Sequence, residues 1–542
     1  MGFYDTGYDC TQRTESKGAD FTALGPYDIG MSLDSPAHLL VLRGQAYARR
    51  GEYGKAVETF TGAIDLSPDD ADYYFFRGNA SVALGKLDDA IADYTDAVAR
   101  RPEFIAAYHN RATANADRGD VAAAERDYTT AHELSPSDPD PLNGRAAIRS
   151  QQRRYEAALA DYSTALELDP ASYRLFFNRG NCHSARGHHE FALDDYTVAI
   201  RLSPRQARAY VYRAVSYDAL GRSDEAVADL TTALRLQSDF AEAYWHRGRI
   251  RSARGEFSLA LNDLNQGIGH EPNNPAAYNL RGVAQAEQGN HAAAVLDFTK
   301  ASDLDPQDAG ALFNRGLSRT RTREWALAEE DFGRAIGISP NDPMGYLHRG
   351  YSRIELLDNE GAIADFADAI RLAPSHPRGY LARAAAYRRN EEYELAFADA
   401  DKAVELSPNS DAALNLRASI FYSRGQFRDA LDDHLAAALI DPDDASTQNF
   451  LGWLRATCPI DDIRDGEAAV QHATRACESI AYGRADFVDT LAAACAEAGR
   501  FADAIRWQKK VVELVPPDDR EAAEERLKRY ERDQPYRDEI PF

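Results

Sequence analysis

Residue types that ligate metals or take part in catalysis cluster in the segment CHSARGHHE at residues 182–190. Its candidate zinc ligands are Cys182, His183, His188, His189 and Glu190. His183 lies on an apolar stripe of helical spacing, and the two later histidines lie in a turn. The segment therefore favours a packed His183 with solvated turn residues over a zinc site. No phosphate loop, nucleophile elbow or dinucleotide fingerprint occurs, so we expect no cofactor, no metal and no enzymatic activity.

A second pattern is an arginine that recurs every 34 residues, followed in most cases by an aspartate sixteen residues later. The arginines are Arg43, Arg77, Arg111, Arg145, Arg179, Arg213, Arg247, Arg281, Arg315, Arg349, Arg383 and Arg417. The aspartates are Asp93, Asp127, Asp161, Asp195, Asp229, Asp263, Asp297, Asp331, Asp365, Asp399 and Asp433, with Thr59 in the first place. Guanidinium and carboxylate groups pair bidentately, so the spacing predicts a ladder of ion pairs within or between repeats. An arginine-lined ligand channel is the alternative use.

These arginines occupy position 7 of twelve contiguous 34-residue repeats from Ala37 to Asp444. Position 4 is large and apolar, position 8 is Gly or Ala, position 20 is Ala, and position 24 is mostly aromatic. Position 15 is usually Gly, and position 32 is Pro except at Ser238. This periodicity predicts two amphipathic helices per repeat, separated by the glycine and ended by the proline. In such an antiparallel hairpin, position 7 faces position 23, where the aspartate stands.

The small residue at position 8, the Ala-x-x-x-aromatic run and the terminal Pro resemble the tetratricopeptide repeat over more than three-quarters of the chain. Arginine at position 7, where the family usually has leucine, is a systematic departure. The resemblance implies an all-α fold, an α-solenoid in which antiparallel helix hairpins stack into a right-handed superhelix. Stacking is required because one repeat cannot bury both of its apolar stripes alone.

The ends of the chain differ from the twelve regular repeats. We expect a thirteenth repeat with a short insertion at residues 445–484 and a fourteenth at 485–518, about fourteen in all. Residues 519–542 are expected to form a capping helix and a tail, and residues 1–36 a mostly irregular extension. Whether that extension is ordered or occupies a binding groove is left open by the sequence.

Positions 2, 5, 9, 12 and 13 of each first helix form a separate face, the first-helix stripe. In the family this face lines a concave groove that binds extended peptides or partner helices. The candidate groove residues are Phe75, Asn79, Phe177, Asn181, Trp245, Arg249, Phe313, Arg321, Tyr351, Arg378, Arg388 and Arg389. The aromatic ones are predicted as exposed anchors for a partner, and packing against the adjacent first helix is the alternative. Phe75 and Phe177 replace the lysine of the clamp that chaperone adaptors use, which argues against a chaperone-tail adaptor.

Charge and composition narrow the class of partner. A net charge of −25 disfavours nucleic acid and anionic membranes, and no run of eighteen apolar residues occurs. Five cysteines without a C-x-x-C pair are typical of a reducing, cytoplasmic setting. We therefore predict a non-catalytic scaffold that binds a protein or peptide, such as an acidic aromatic-containing segment, beside the arginines of repeats nine to eleven. A self-associating structural module and an enzyme with an unrecognised site are the alternatives, the latter disfavoured.

Overall fold

The computed structural model describes residues 35–516 and 520–538 of the chain. Within these residues the regular elements are helices, and none of them is long and apolar enough to cross a membrane. Residues 1–34 of the predicted N-terminal extension lie outside the described part. The helices form two compact bodies, an N-terminal body that ends at Gln288 and a C-terminal body that begins at Gly289.

The N-terminal body contains α1 to α15. Their bounds are Pro36–Arg49, Tyr53–Leu66, Ala71–Ala83, Leu87–Arg100, Ile105–Arg118, Val121–Leu134, Pro139–Gln151, Tyr155–Leu168, Tyr173–Ala185, His189–Leu202, Ala207–Ala219, Ser223–Leu236, Ala241–Ala253, Phe257–His270 and Pro275–Glu287.

The C-terminal body contains α16 to α29. Their bounds are His291–Leu304, Ala309–Arg321, Trp325–Ile338, Pro343–Glu355, Asn359–Leu372, Pro377–Arg389, Tyr393–Leu406, Asp411–Ser423, Phe427–Ile440, Ala445–Thr457, Gly466–Ser479, Ala485–Glu497, Phe501–Leu514 and Arg520–Tyr530. A short 3₁₀ helix at Asp461–Ile463 lies between α25 and α26. The all-α solenoid of helix hairpins predicted from the sequence is confirmed.

The turn inside each of the twelve regular repeats uses a left-handed residue at position 15. Gly119, for example, has a φ of 93°, a conformation that glycine adopts without steric cost. Arg153, Arg323, Leu357 and Glu391 take the same position with φ between 59° and 65°. The tertiary packing thus imposes the turn even where the residue type disfavours it.

Small residues let the two helices of a hairpin approach closely. A Cβ atom added to Gly316 would lie 2.7 Å from the ring of Phe332, and one added to Gly78 would lie 2.7 Å from Tyr94. The alanine at position 20 is fully buried beside them, as at Ala90 and Ala328. The core is therefore a row of such ring-against-glycine and alanine contacts, repeated along each body.

The predicted Arg–Asp ladder is present. Ten of the predicted pairs form within their own repeats, at N–O distances of 2.5 to 2.7 Å: Arg77–Asp93, Arg111–Asp127, Arg145–Asp161, Arg179–Asp195, Arg213–Asp229, Arg247–Asp263, Arg315–Asp331, Arg349–Asp365, Arg383–Asp399 and Arg417–Asp433. Each arginine uses Nε and Nη2 on the two carboxylate oxygens. In the first repeat, where the aspartate is missing, Arg43 donates instead to the Tyr47 hydroxyl at 3.0 Å.

The same guanidinium also joins neighbouring repeats. In most repeats its Nη1 donates to a side chain at position 25 of the preceding repeat, for example from Arg111 to Thr95 at 3.1 Å and from Arg247 to Thr231 at 3.0 Å. Arg349 and Arg383 lack this contact, because Gly333 and Ala367 stand at that position. One arginine therefore contacts three helices: its own, the second helix of its repeat and the second helix of the repeat before. This inter-repeat contact accounts for the recurrent Thr or Ser at position 25, which the sequence analysis did not use.

A second set of arginines, at position 11, adds to the ladder in four repeats. They are Arg149, Arg251, Arg319 and Arg353, and each donates to the aspartate of its own repeat at 2.6 to 2.9 Å. Arg149 and Arg353 also pair with Glu125 and Glu329 of the preceding repeats, both at 2.8 Å. The additional carboxylates offset the extra positive charge.

Removing one guanidinium from the ladder is expected to destabilise the C-terminal body strongly. In Arg315→Ala, Asp331 would lose the bidentate partner that compensates its burial, since the two side chains are only 7% and 1% exposed. We expect the free energy of unfolding to fall by about 3 kcal/mol, measured by urea denaturation. Arg371→Ala removes an ion pair of the same type between side chains that are 63% and 42% exposed, and should cost less than about 1 kcal/mol. Equal losses for both variants would contradict a structural role for the ladder.

Two histidines, the buried His434 and the half-buried His348, make the stability of the C-terminal body depend on pH. Burial lowers the pKa of His348 to about 4, with a smaller effect from Arg378 and Arg321, and burial lowers the pKa of His434 to about 4 as well. In the unfolded chain a histidine has a pKa of about 6.5. Between about pH 4 and 6.5 the unfolded chain therefore binds more protons than the folded one, and the stability contributed by the neutral rings is lost as pH falls.

We expect the variant His348→Phe to show a shallower loss of stability with acidification than the native chain. The phenylalanine keeps the ring contacts but does not titrate, so up to about 1.4 kcal/mol per pH unit of the slope disappears. The measurement is the free energy of urea unfolding at several values from about pH 4 to 7. Leu439→Ala, which changes an exposed side chain without a titrating group in the same body, serves as the control and should leave the slope unchanged. If the free energy of unfolding of His348→Phe depended on pH as steeply as that of the native chain, His348 would not be a source of the pH dependence.

Candidate functional site

The four large aromatic side chains at position 5 of the first-helix stripe are buried, contrary to the expectation that they are exposed. Phe75, Phe177, Trp245 and Phe313 are only 3% to 8% exposed. Packing between successive first helices explains this, because the Phe177 ring lies 5.3 Å from that of Tyr212 on the next first helix. Phe313 likewise lies 5.4 Å from His348. These rings hold neighbouring repeats together, as the packing alternative predicts.

Trp245 illustrates how the neighbouring residues accommodate such a ring. A Cβ atom on Gly267 would lie 2.4 Å from the Trp245 indole nitrogen, so only glycine fits beside it. The ring packs with Leu264 and Ile268 of the same repeat and with Ala277 of the next first helix. Trp245 is therefore part of the core of the N-terminal body.

The polar candidates of the N-terminal body are also engaged in internal contacts. The Asn79 side-chain oxygen accepts hydrogen bonds from the Tyr94 hydroxyl at 2.7 Å and from the Asn110 amide at 2.8 Å. Asn181 accepts one from Tyr196 at 2.8 Å. Arg249 pairs with Asp218 of the preceding first helix at 2.5 Å. These three residues are therefore engaged in contacts within their own repeat or with a neighbouring one.

The C-terminal body presents a different surface, the arginine cluster, which consists of Arg321, Arg378, Arg388 and Arg389. They lie on α17 and α21, and all four are exposed. Among the described residues, the side chains of Arg378, Arg388 and Arg389 form no ion pair or hydrogen bond with the rest of the chain. Glu355 is the acid that shares their stripe, so the local charge is strongly positive in a protein of net charge −25.

Two rings of α19 lie beside the arginine cluster. Tyr351 is 42% exposed and its ring lies 5.4 Å from Phe366 and 6.0 Å from His348. Burial lowers the pKa of His348, and the charges of Arg378 and Arg321 contribute to the same shift. The rings of Tyr351 and His348 therefore form an uncharged surface beside the positive charges of the arginine cluster.

A cavity of about 100 Å³ lies next to Phe313, between α17, α18 and α19. Gly310, Ile336, Asp342 and Gly345 are among the residues that line it. Sites for small molecules usually enclose about 300 to 1,000 Å³, so this space is too small for a cofactor.

The metal-ligand types of residues 182–190 do not converge on one point. Within the described residues no group of three or more His, Cys, Asp or Glu side chains is arranged to hold a metal ion. His183 stacks on Phe191 at 5.4 Å and lies 4.0 Å from Asp195, while Cys182 is buried. Burial also raises the pKa of Cys477 to about 12 and that of Cys495 to about 11, so both remain thiols at neutral pH.

Sequence reasoning missed a contact between the C-terminal tail and the first-helix stripe. Residues 534–538 follow α29 and lie against α23, α25 and α27, where the Asp538 carboxylate meets Tyr422, Trp453 and Thr457. Tyr422 and Trp453 stand at positions 12 and 9 of their repeats. The sequence does carry a signal for this contact, since two aromatic residues, Tyr422 and Trp453, stand on the stripe of the last repeats. Neither of them is among the predicted groove residues.

Comparison with known proteins agrees with the fold. The sequence model of the tetratricopeptide repeat matches residues 41–102, 77–139, 144–207, 213–251, 247–309 and 347–411. No curated protein matches the chain at a significant level.

Solved structures with similar folds include other repeat proteins. A tetratricopeptide repeat protein from Parabacteroides merdae is 23% identical, with 46% of this chain and 98% of that chain covered and a TM-score of 0.40. The Cut9–Hcn1 hetero-tetramer of the APC/C is 15% identical over 92% of this chain and 97% of that chain, with a TM-score of 0.43. Yeast Tom70 is 18% identical over 83% of this chain and 97% of that chain, with a TM-score of 0.35.

The family model matches more than half of the chain. The recurring helix hairpins and the small-residue contacts between their helices agree with that match. This chain belongs to the tetratricopeptide repeat family, whose members serve generally as protein-interaction scaffolds.

Proposed function

We propose that this protein is a non-catalytic adaptor that binds an acidic, aromatic-bearing segment of a partner protein on the first-helix stripe of its C-terminal body. The observation that carries the proposal is the state of the arginines. Those of the ladder are held by carboxylates, whereas Arg378, Arg388 and Arg389 are exposed and, within the described residues, without an internal partner.

Guanidinium groups in this state suit recognition of carboxylates. Each offers a planar fork of N–H donors that matches a carboxylate bidentately. A guanidinium is also more weakly hydrated than an ammonium group, so its transfer out of water on binding costs less. The acidity of the rest of the protein would repel an acidic partner from other surfaces and so favours this one. The positive charge of this surface, rather than the net charge of the protein, would decide where an acidic partner binds.

Tyr351 adds an apolar contact surface to this basic region. Its ring is supported from below by Phe366 and His348, so it is held in place while its outer face stays accessible. An aromatic side chain of the partner would stack on it, and neighbouring arginines would add cation–π contacts. The combination favours a segment with both acidic and aromatic residues over a purely acidic one.

The test is the binding of a labelled peptide, Asp-Glu-Tyr-Asp-Glu-Phe, measured by fluorescence anisotropy. The triple variant Arg378→Ala, Arg388→Ala and Arg389→Ala should bind it at least about tenfold more weakly, equivalent to about 1.4 kcal/mol. The affinity of the native protein should also fall as salt is raised from about 50 to 200 mM, since exposed charges are screened.

The matched control is the triple variant Arg371→Ala, Arg428→Ala and Arg506→Ala. It removes the same number of charges from exposed positions of second helices in the same body. We expect its affinity to stay within about twofold of the native value, because a local site senses local charge. Equal weakening in both triple variants would show that only net charge matters and would remove the proposed site.

A further inference from the structure

The end of the chain returns to the first-helix stripe. After α29, Asp533 adopts a left-handed conformation with a φ of 57°, which reverses the direction of the chain. Residues 534–538 then continue without regular secondary structure. Pro535 lacks an N–H group and restrains this segment to an extended form. The geometry is that of an extended peptide lying across helices.

One carboxylate oxygen anchors the segment. Asp538 Oδ2 accepts hydrogen bonds from the Tyr422 hydroxyl at 2.5 Å and from the Trp453 indole N–H at 2.8 Å. The Thr457 hydroxyl lies 2.8 Å from the same oxygen and shares its proton between this oxygen and the Trp453 carbonyl. In addition, the Asp538 amide donates to the Thr457 carbonyl at 2.9 Å, which satisfies an acceptor in the last turn of α25.

The two residues before Asp538 make further contacts. The Tyr536 ring lies 5.9 Å from that of Trp453, and the Arg526 guanidinium lies 5.5 Å from the Tyr536 ring. Arg537 pairs with Glu497 at 2.5 Å. Every side chain from 536 to 538 therefore has its own partner on the body.

These partners coincide with the first-helix stripe. Tyr422 is at position 12 of the twelfth repeat, Trp453 and Thr457 are at positions 9 and 13 of the thirteenth, and Glu497 is at position 13 of the fourteenth. A segment that merely covered the end of the core would bury apolar side chains. Here the Tyr536 ring packs against the body, and the two residues after it add hydrogen bonds and an ion pair to individual side chains, as in peptide recognition.

We propose that the stripe of the last three repeats is a binding site for an extended Tyr-x-Asp segment, and that the protein's own residues 536–538 occupy it in cis. A partner segment of the same chemistry would compete with the tail for Tyr422, Trp453 and Thr457. This inference deepens the proposed function, since it assigns regulation by the tail to the same peptide-binding stripe. It does not depend on the arginine cluster.

A free peptide competes with residues 536–538, which have the advantage of being covalently attached to the same chain. A segment held on a short linker has an effective concentration on the order of millimolar, so a free peptide binds well only when the tethered segment is weakened. The full-length variant Asp538→Ala keeps the fold and the linker but removes the anchoring carboxylate. It therefore opens the site without deleting any part of the chain.

The experiment uses a fluorescein-labelled peptide with the sequence of residues 534–542, QPYRDEIPF, and full-length protein. By fluorescence anisotropy, the peptide should bind Asp538→Ala at least about tenfold more tightly than the native chain. A peptide with Asn in place of the aspartate should bind the same variant at least about tenfold more weakly. Circular dichroism confirms that the variant is folded.

A second variant tests the receptor side. Adding Tyr422→Phe to Asp538→Ala removes one donor to the carboxylate and should weaken peptide binding about fivefold or more. Adding Tyr380→Phe instead removes a hydroxyl that donates to the Pro374 carbonyl elsewhere in the same body, and should have no effect.

Equal affinity for the native chain and Asp538→Ala, or indifference to the peptide's aspartate, would overturn the inference and leave the tail as a structural strap. Failure of the arginine-cluster variants to alter binding of the acidic peptide would instead refute the proposed function. The two peptides contact different repeats, so each result is interpreted separately.

Discussion

A buried guanidinium has to have its donors satisfied, and this requirement organises both bodies of the protein. A charge in the core is costly unless it is paired, and one carboxylate sixteen residues away supplies the pair. In most repeats the remaining Nη1 group donates to the second helix of the preceding repeat, so one side chain fixes the hairpin and its neighbour together. In Arg315 this group contacts both Thr299 and Ser302, at 3.3 and 3.0 Å. Leucine, the usual residue of the family at this place, can pack there but cannot set such a register.

The ladder also determines which surface is free for a partner. Ladder arginines and their aspartates fill the space between the two helices of a repeat, and the rings at position 5 fill the space between successive first helices. Arginines that take no part in either layer, such as Arg388 and Arg389, remain exposed. The proposed partner site accordingly uses side chains that neither packing layer requires.

The C-terminal tail shows how the same stripe is used by an extended segment. Its Asp538 carboxylate accepts hydrogen bonds from two hydroxyls and an indole N–H, without any arginine, although Arg526 and Arg529 lie beside Tyr536. The C-terminal body therefore holds one carboxylate with neutral donors in a half-buried cradle, whereas the proposed binding of a partner's carboxylates would use exposed charge. Neutral donors are less sensitive to salt and depend more on geometry, which suits an internal contact.

Much of the fold could be predicted from the sequence, since a period of 34 residues recurs in phase and an antiparallel hairpin places position 7 opposite position 23. The spacing of residues within one repeat is enough to predict the helix pairs, the close approach at Gly316 and the Arg–Asp pairs. The candidate site was harder to predict, because exposure depends on the next repeat: Phe313 and Tyr351 lie on the same stripe, yet one is buried and the other is open.

What the sequence by itself determined is therefore the repeat, its hairpin and the pairing inside it, all of which act over fewer than 34 residues. Only the tertiary structure decided how the guanidinium bridges repeats, which rings stay accessible and where the tail lies. Asp538 meets Tyr422 across 116 residues of chain, and no periodic pattern encodes that contact. The physical reason is that short-range geometry is repeated in every unit, whereas long-range contacts arise once, from the way the whole stack brings distant surfaces together.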